Sequence, residues 1–87
     1  MRTFKLSNSI GIRNENGKYF LFDNVNGNIF KLNELSYEIL SLCDGTCDEE
    51  MVLKKISGIF DVSAENIYND FNFLMNTLLE KKYISII

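Results

Sequence analysis

The sequence of 87 residues predicts an α+β domain of winged helix-turn-helix type, a three-stranded antiparallel sheet followed by three helices. Three observations carry this. Hydrophobic residues alternate with polar ones up to about Asn33 and recur at helical spacing after it. Two Asn-Gly pairs, Asn16-Gly17 and Asn26-Gly27, separate β-rich runs. Each later run opens on a residue that caps helices, namely Asn33, Thr46 or Asp48, and Ser63.

Taken in order, Ile10 and Ile12 alternate with polar neighbours, which places a strand at 9–14. Phe4 and Leu6 alternate likewise, leaving room for an extra strand near 3–6. Lys18-Tyr19-Phe20-Leu21-Phe22 makes a strand at 18–23, and Asn28-Ile29-Phe30-Lys31-Leu32 one at 28–32. Both residues of an Asn-Gly pair tolerate positive φ, so the three strands form a meander. A first helix at 34–43 puts Leu35, Ile39, Leu42 and Cys43 on one face, and Asp44-Gly45 stops it. A second helix to about Phe60 carries Val52, Leu53, Ile56, Ile59 and Phe60 inward. Thr46-x-x-Glu49 has capping-box spacing, and Asp48 is the alternative cap. The third helix, capped by Ser63 and ending near Lys82, has a broad apolar face of Ile67, Tyr68, Phe71, Leu74, Met75, Leu78 and Leu79. Asp70, Thr77 and Lys81 line one flank of it and Asn72 and Asn76 the other, while Phe73 points away. The tail 83–87 is short and apolar, suited to packing back or to pairing as a strand. A single domain over 1–87 is the expectation, since so short a chain has little room for two cores.

Composition removes several functions. Nine basic against twelve acidic residues give a net charge of −3, which offers no broad cationic surface to DNA, RNA or an anionic membrane. Histidine is absent, which removes Ser-His and Cys-His pairs and His-ligated metals. No phosphate-cradling glycine loop is present. Two cysteines, Cys43 and Cys47, are too few for a zinc or iron–sulfur site, and their spacing is not that of a redox pair. They read more simply as core residues. Asp48-Glu49-Glu50 diverge on a helix and complement its dipole. The expectation is no catalytic residue, no metal and no cofactor. Without an export signal or a membrane-length apolar run, a cytoplasmic setting is expected.

The strand at 28–32 stands out. If spatial order follows chain order, it has a neighbour on one side only. Proteins blunt such edges with proline, charges or bulges, and this strand has one charge, Lys31, and no proline. An open edge beside a helix with surplus apolar width describes a groove for an extended peptide. The other reading is that the N-terminal arm or the tail 83–87 covers the edge, and the pattern alone leaves both open.

These residues resemble a known family. Asn28-Ile29-Phe30-Lys31-Leu32-Asn33-Glu34 leads into Tyr37-Glu38-Ile39-Leu40 and Asp44-Gly45-Thr46. The last helix then reads Ile67-x-x-Asp70-Phe71-x-x-Leu74-x-x-x-Leu78 and ends on Lys82-Tyr83-Ile84. The pattern is similar to that of the PqqD-like family, the RiPP recognition elements. It departs at Lys82, where glycine is common, and near Cys47-Asp48, where about one residue is inserted. The resemblance implies a binding domain rather than an enzyme. Such a domain takes the leader segment of a ribosomally made precursor peptide as an antiparallel strand and presents it to a separate enzyme. That enzyme is a radical-SAM protein, a cyclodehydratase or a lasso-pathway leader peptidase. Carried onto this chain, the edge is Asn28, Ile29, Phe30, Lys31 and Leu32, and the helix side is Ile67, Asp70, Leu74 and Thr77. Phe73 is added from the helical wheel. Which flank of the helix faces the groove, Asp70/Thr77 or Asn72/Leu79, is open in the sequence, and the former is expected. The alternative function is an acidic winged-helix module for transcription or protein interaction, and a third is a subunit that dimerises through its edge.

Overall fold

A computed structural model describes all residues, Met1–Ile87. Its elements are β1 (Thr3–Leu6), β2 (Ile10–Glu15), β3 (Lys18–Asp23), β4 (Asn28–Leu32), α1 (Glu34–Ser41), β5 (Asp44–Asp48), α2 (Glu49–Phe60), α3 (Ala64–Glu80) and β6 (Ile84–Ile86). The strands β2, β3 and β4 form the antiparallel meander, followed by the three helices, as the sequence predicts. Asn16 and Gly17 take φ of 53° and 82°, the double positive φ of a tight hairpin turn, and the Gly17 N–H donates to Asn14 Oδ1 at 3.1 Å. The next turn is built on Asp23, whose Oδ1 accepts from the N–H groups of Val25 and Asn26 at 3.0 and 3.1 Å. Gly27, at φ 76°, closes it.

Each helix starts where a side chain can satisfy a free backbone donor. Asn33 Oδ1 accepts from Ser36 N at 2.7 Å, and Asp48 Oδ1 from Met51 N at 2.9 Å. Ser63 Oγ accepts from Asn66 N at 3.4 Å. The cap of α2 is therefore Asp48, not Thr46. Thr46 instead bonds the Asp44 carboxylate through its N–H and its hydroxyl, which holds that carboxyl below its usual range.

The structure departs from the sequence expectation between α1 and α2. Residues 44–48 form β5, where a turn alone was expected, and α1 ends at Ser41, not 43. The strand β5 pairs antiparallel with β1, which pairs on its other side with β6, giving a second sheet in the order β5-β1-β6. The extra strand near 3–6 and the tail thus find each other. Phe4 lies opposite Ile86 and Leu6 opposite Ile84, and the Ile87 N–H donates to Thr3 O at 2.9 Å. The second helix ends at Phe60 as expected, and two further corrections concern Ile59 and the end of α3. Asp61 ends α2 in the left-handed conformation at φ 52°, and Ile59 is left 58% exposed, outside the core. The third helix ends at Glu80 with Lys81 as its cap, two residues short of the Lys82 near which the sequence ends it, and Lys82 takes φ 63°.

The core lies between the helices and the two sheets. Phe71 and Met75 of α3 are fully buried with Ile56 of α2, Ile39 and Leu40 of α1, Leu21 of β3 and Phe4 of β1. Phe4 meets Phe71 edge to face, ring centroids 5.8 Å apart. Cys43 and Cys47 are both buried and unbridged. Burial, with Asp44 and Cys47 adding to it, pushes the Cys43 thiol up to about 12.

Candidate functional site

In the meander, β4 has β3 on one side and no strand on the other. Its register sets Asn28, Phe30 and Leu32 opposite Asp23, Leu21 and Tyr19, so these three share the inner face of the sheet with buried residues. Ile29 and Lys31 lie on the outer face, opposite Phe22 and Phe20. Every residue of β4 except Leu32 is exposed, and Ile29 is 61% exposed. The N-terminal arm and the tail, which could have covered this edge, are used up by the β5-β1-β6 sheet.

The C-terminal end of α3 reaches that edge. Phe30 in the middle of β4 packs against Tyr83 just beyond the end of α3, centroids 6.0 Å apart with the ring planes inclined at 56°, and Lys81 places its Nζ 5.4 Å from the Phe30 ring centre. Farther along, the start of α1 and the middle of α3 enclose a hollow of about 290 Å³. It is lined by Asn33, Leu35, Ser36 and Ile39 on one side and Asp70, Phe73, Leu74 and Thr77 on the other. A second hollow of about 170 Å³ continues from it past Leu35 and Asp70 to Phe60, Val62, Asn66 and Ile67.

Of the residues singled out from sequence, Asp70, Phe73, Leu74 and Thr77 thus share one hollow, and Ile67, itself buried, lies at the base of the next. Phe73 is 77% exposed, at the rim. Thr77 donates its hydroxyl to Phe73 O at 2.8 Å and so presents its methyl group sideways. Asn28 to Leu32 do not line these hollows and stand apart as the edge. The other flank of α3 is already engaged, since Asn72 Oδ1 accepts from Arg2 Nη2 at 3.1 Å, in a cluster where Arg2 also pairs with Glu49 at 2.8 Å.

Sequence reasoning missed the α1 side of the hollow and the anchor at Tyr83. The Tyr83 hydroxyl donates to Asp23 Oδ2 at 2.8 Å, deep under the turn that precedes β4. Hydrogen bonds from the Asn26 side chain and backbone, with those from Tyr83 and Val25, hold the Asp23 carboxyl down at about 2. The same bond to Asp23, together with burial, raises Tyr83 above the usual phenol range, so its proton stays available for donation. A tyrosine in an otherwise apolar tail was the available signal, because a buried phenol needs a polar partner.

The molecule has a larger hollow, about 440 Å³, between the β1–β2 connection and the end of α1, bordered by Ile10 and Ile12 of β2. Strand β2 is the other edge of the meander. It is blunted by Arg13 and Glu15, paired at 3.0 Å, and its hollow is rimmed by Lys5, Asn8, Ser41 and Asp44. The β4 edge, with Ile29 and Phe30 exposed and Phe73 at the adjoining hollow, is the more apolar of the two.

A family model for coenzyme PQQ synthesis protein D (PqqD) matches residues 18–84. The chain belongs to the PqqD family. The PqqD match runs from the start of β3 to the start of β6 and so takes in β4, α3 and Tyr83 together. Among solved structures, TbiB1 in complex with the TbiA(beta) leader peptide superposes with a TM-score of 0.79. It is 18% identical in sequence, over 93% of this chain and 94% of that one. The heterocyclase TruD aligns with a TM-score of 0.69 at 19% identity, over 100% of this chain and 12% of TruD. At these identities the likeness is one of fold, shared with nearly the whole of the TbiB1 chain and with a small part of TruD. No curated protein matches the chain.

Proposed function

We propose that this PqqD-family chain is a RiPP recognition element, one peptide-binding domain over residues 1–87. It takes up the leader segment of a ribosomally made precursor peptide and presents it to a separate modifying enzyme or leader peptidase. The observation that carries the reading is the unpaired β4 edge beside the α3 hollow, two binding elements that neither chain end covers. A leader strand adds to Asn28–Leu32 through backbone bonds, and some of its side chains enter the hollow by Asp70, Phe73, Leu74 and Thr77. Membership in the PqqD family and the fold shared with the leader-bound TbiB1 support it. The domain acts by binding. Docking the leader raises the concentration of the attached core at the enzyme to about millimolar when the geometry allows. An affinity on the order of micromolar then suffices, and a leader that is disordered when free favours that range.

An NMR titration of backbone amides with the N-terminal half of the product of the nearest small open reading frame tests the reading. Shifts concentrated at 28–32 and along Asp70–Thr77 are expected. Shifts at Gly11–Asn14 would move the peptide to the β2 edge, and none at millimolar peptide would remove leader binding. Phe30→Asp and Leu74→Asp are expected to abolish binding, with the folded state of each checked by amide dispersion. Ile59→Asp, at an exposed position that lines neither hollow, is expected to bind normally.

A further inference from the structure

Two exposed charges of opposite sign stand along α3 beside the groove. Asp70 lines both hollows where they meet, next to the start of α1, where Glu34 sits between the lining residues Asn33 and Leu35. Lys81 stands at the C-terminal end of α3, its ammonium over the exposed ring of Phe30. Neither takes part in an ion pair, since those of the chain are Arg2–Glu49 and Arg13–Glu15. At about 100° per residue, the eleven positions between Asp70 and Lys81 bring both onto the same flank of α3. Asn33, next to Leu32, lines a hollow with Asp70, while Lys81 stands over Phe30 and the nearby Tyr83 bonds Asp23, opposite Asn28, so Asp70 marks the Leu32 end of the edge and Lys81 the Phe30–Asn28 part of it.

The meander is antiparallel throughout, and antiparallel pairing is the more stable mode per residue. A peptide added this way lays its N-terminal part beside Leu32 and its C-terminal part beside Asn28. Eleven positions of helix span roughly 16 Å, which an extended strand covers in about five residues. Side chains that point to the same face are an even number of positions apart. We infer that the groove selects a strand with a basic residue toward its N-terminus and an acidic residue about four or six positions later. Both face α3, with apolar side chains at the positions between. This rests on the groove reading above and adds the charge order of the ligand.

The test uses displayed random peptides long enough to cover β4 and both charges, selected on the wild-type chain and on an Asp70→Lys/Lys81→Glu double variant. Both positions are exposed, and an unchanged circular dichroism spectrum and thermal midpoint confirm that the variant is folded. The expected result is enrichment of base-before-acid peptides on the wild type and acid-before-base on the variant. A synthetic peptide with its selected charges exchanged is expected to bind the wild type about tenfold more weakly, from a few-fold effect at each charge. Enriched peptides that shift β4 and α3 amides but show no charge order, or the same order on both proteins, overturn the inference and leave the groove standing. Failure to enrich any peptide, or shifts elsewhere, brings down the groove reading and the inference with it.

Discussion

Asp23 sits beneath the β3–β4 turn with four donors aimed at its carboxylate: the N–H groups of Val25 and Asn26, the Asn26 amide and the Tyr83 hydroxyl. Those bonds favour the charged form, so its folded pKa of about 2 lies below the ordinary 3.8. A depressed carboxylate pKa contributes stability above the unfolded value and loses it as pH falls through the folded one. The denaturation midpoint is therefore expected to drop between about pH 4 and pH 2, and Asp23→Asn is expected to flatten that drop while lowering stability at neutral pH. Urea titrations at several pH values check both. Since Tyr83 packs against Phe30 and its hydroxyl ties it to Asp23, Tyr83→Phe is expected to loosen β4 as well, seen as faster amide exchange at Asn28–Phe30. A second residue-scale expectation concerns Cys43. Its thiol, buried, raised to about 12 and donating to Ile39 O at 3.3 Å, is expected to resist iodoacetamide at pH 8 until the chain is unfolded.

Among the elements, β5 shows where sequence reading stops. Asp44-Gly45-Thr46-Cys47-Asp48 has one buried apolar side chain and no alternation to read, and it is a strand because β1, some forty residues earlier, supplies its partner. The meander and the helices were legible because their signals are local: Asn16-Gly17 for the hairpin, Asn33 and Ser63 for the caps, and a helical apolar period for α3. The β4 edge was legible as a strand lacking charge and proline. That it stays uncovered was not, because this depends on β1 and β6 pairing across nearly the whole chain. The α1 side of the hollow was missed for a similar reason: Leu35 and Ile39 read as core, and only the crossing of α1 and α3 leaves a gap between them. Gly45 of β5 adopts φ 90°, and a methyl group there meets Ile87 Cδ1 at 3.1 Å. Gly45→Ala is expected to cost about 1–2 kcal/mol in chemical denaturation. Asp48→Ala, which removes the cap of α2, is expected to cost about 1 kcal/mol.

At the scale of the whole molecule, a net charge of −3 leaves little to attract a polyanion. Binding to duplex DNA is expected to be undetectable by fluorescence anisotropy at physiological salt. A tight complex with a steep salt dependence would move the chain to the winged-helix regulatory class. No helix is long and apolar enough to cross a membrane. The pairing of β1 with β6 has a further consequence. With Thr3 bonded to Ile87, the polypeptide enters and leaves through adjacent strands, so its path is nearly a closed ring. Such a ring can be spliced into a longer polypeptide, or cut at an exposed turn such as Asn16-Gly17 and rejoined end to end by a few residues, without redrawing its interior.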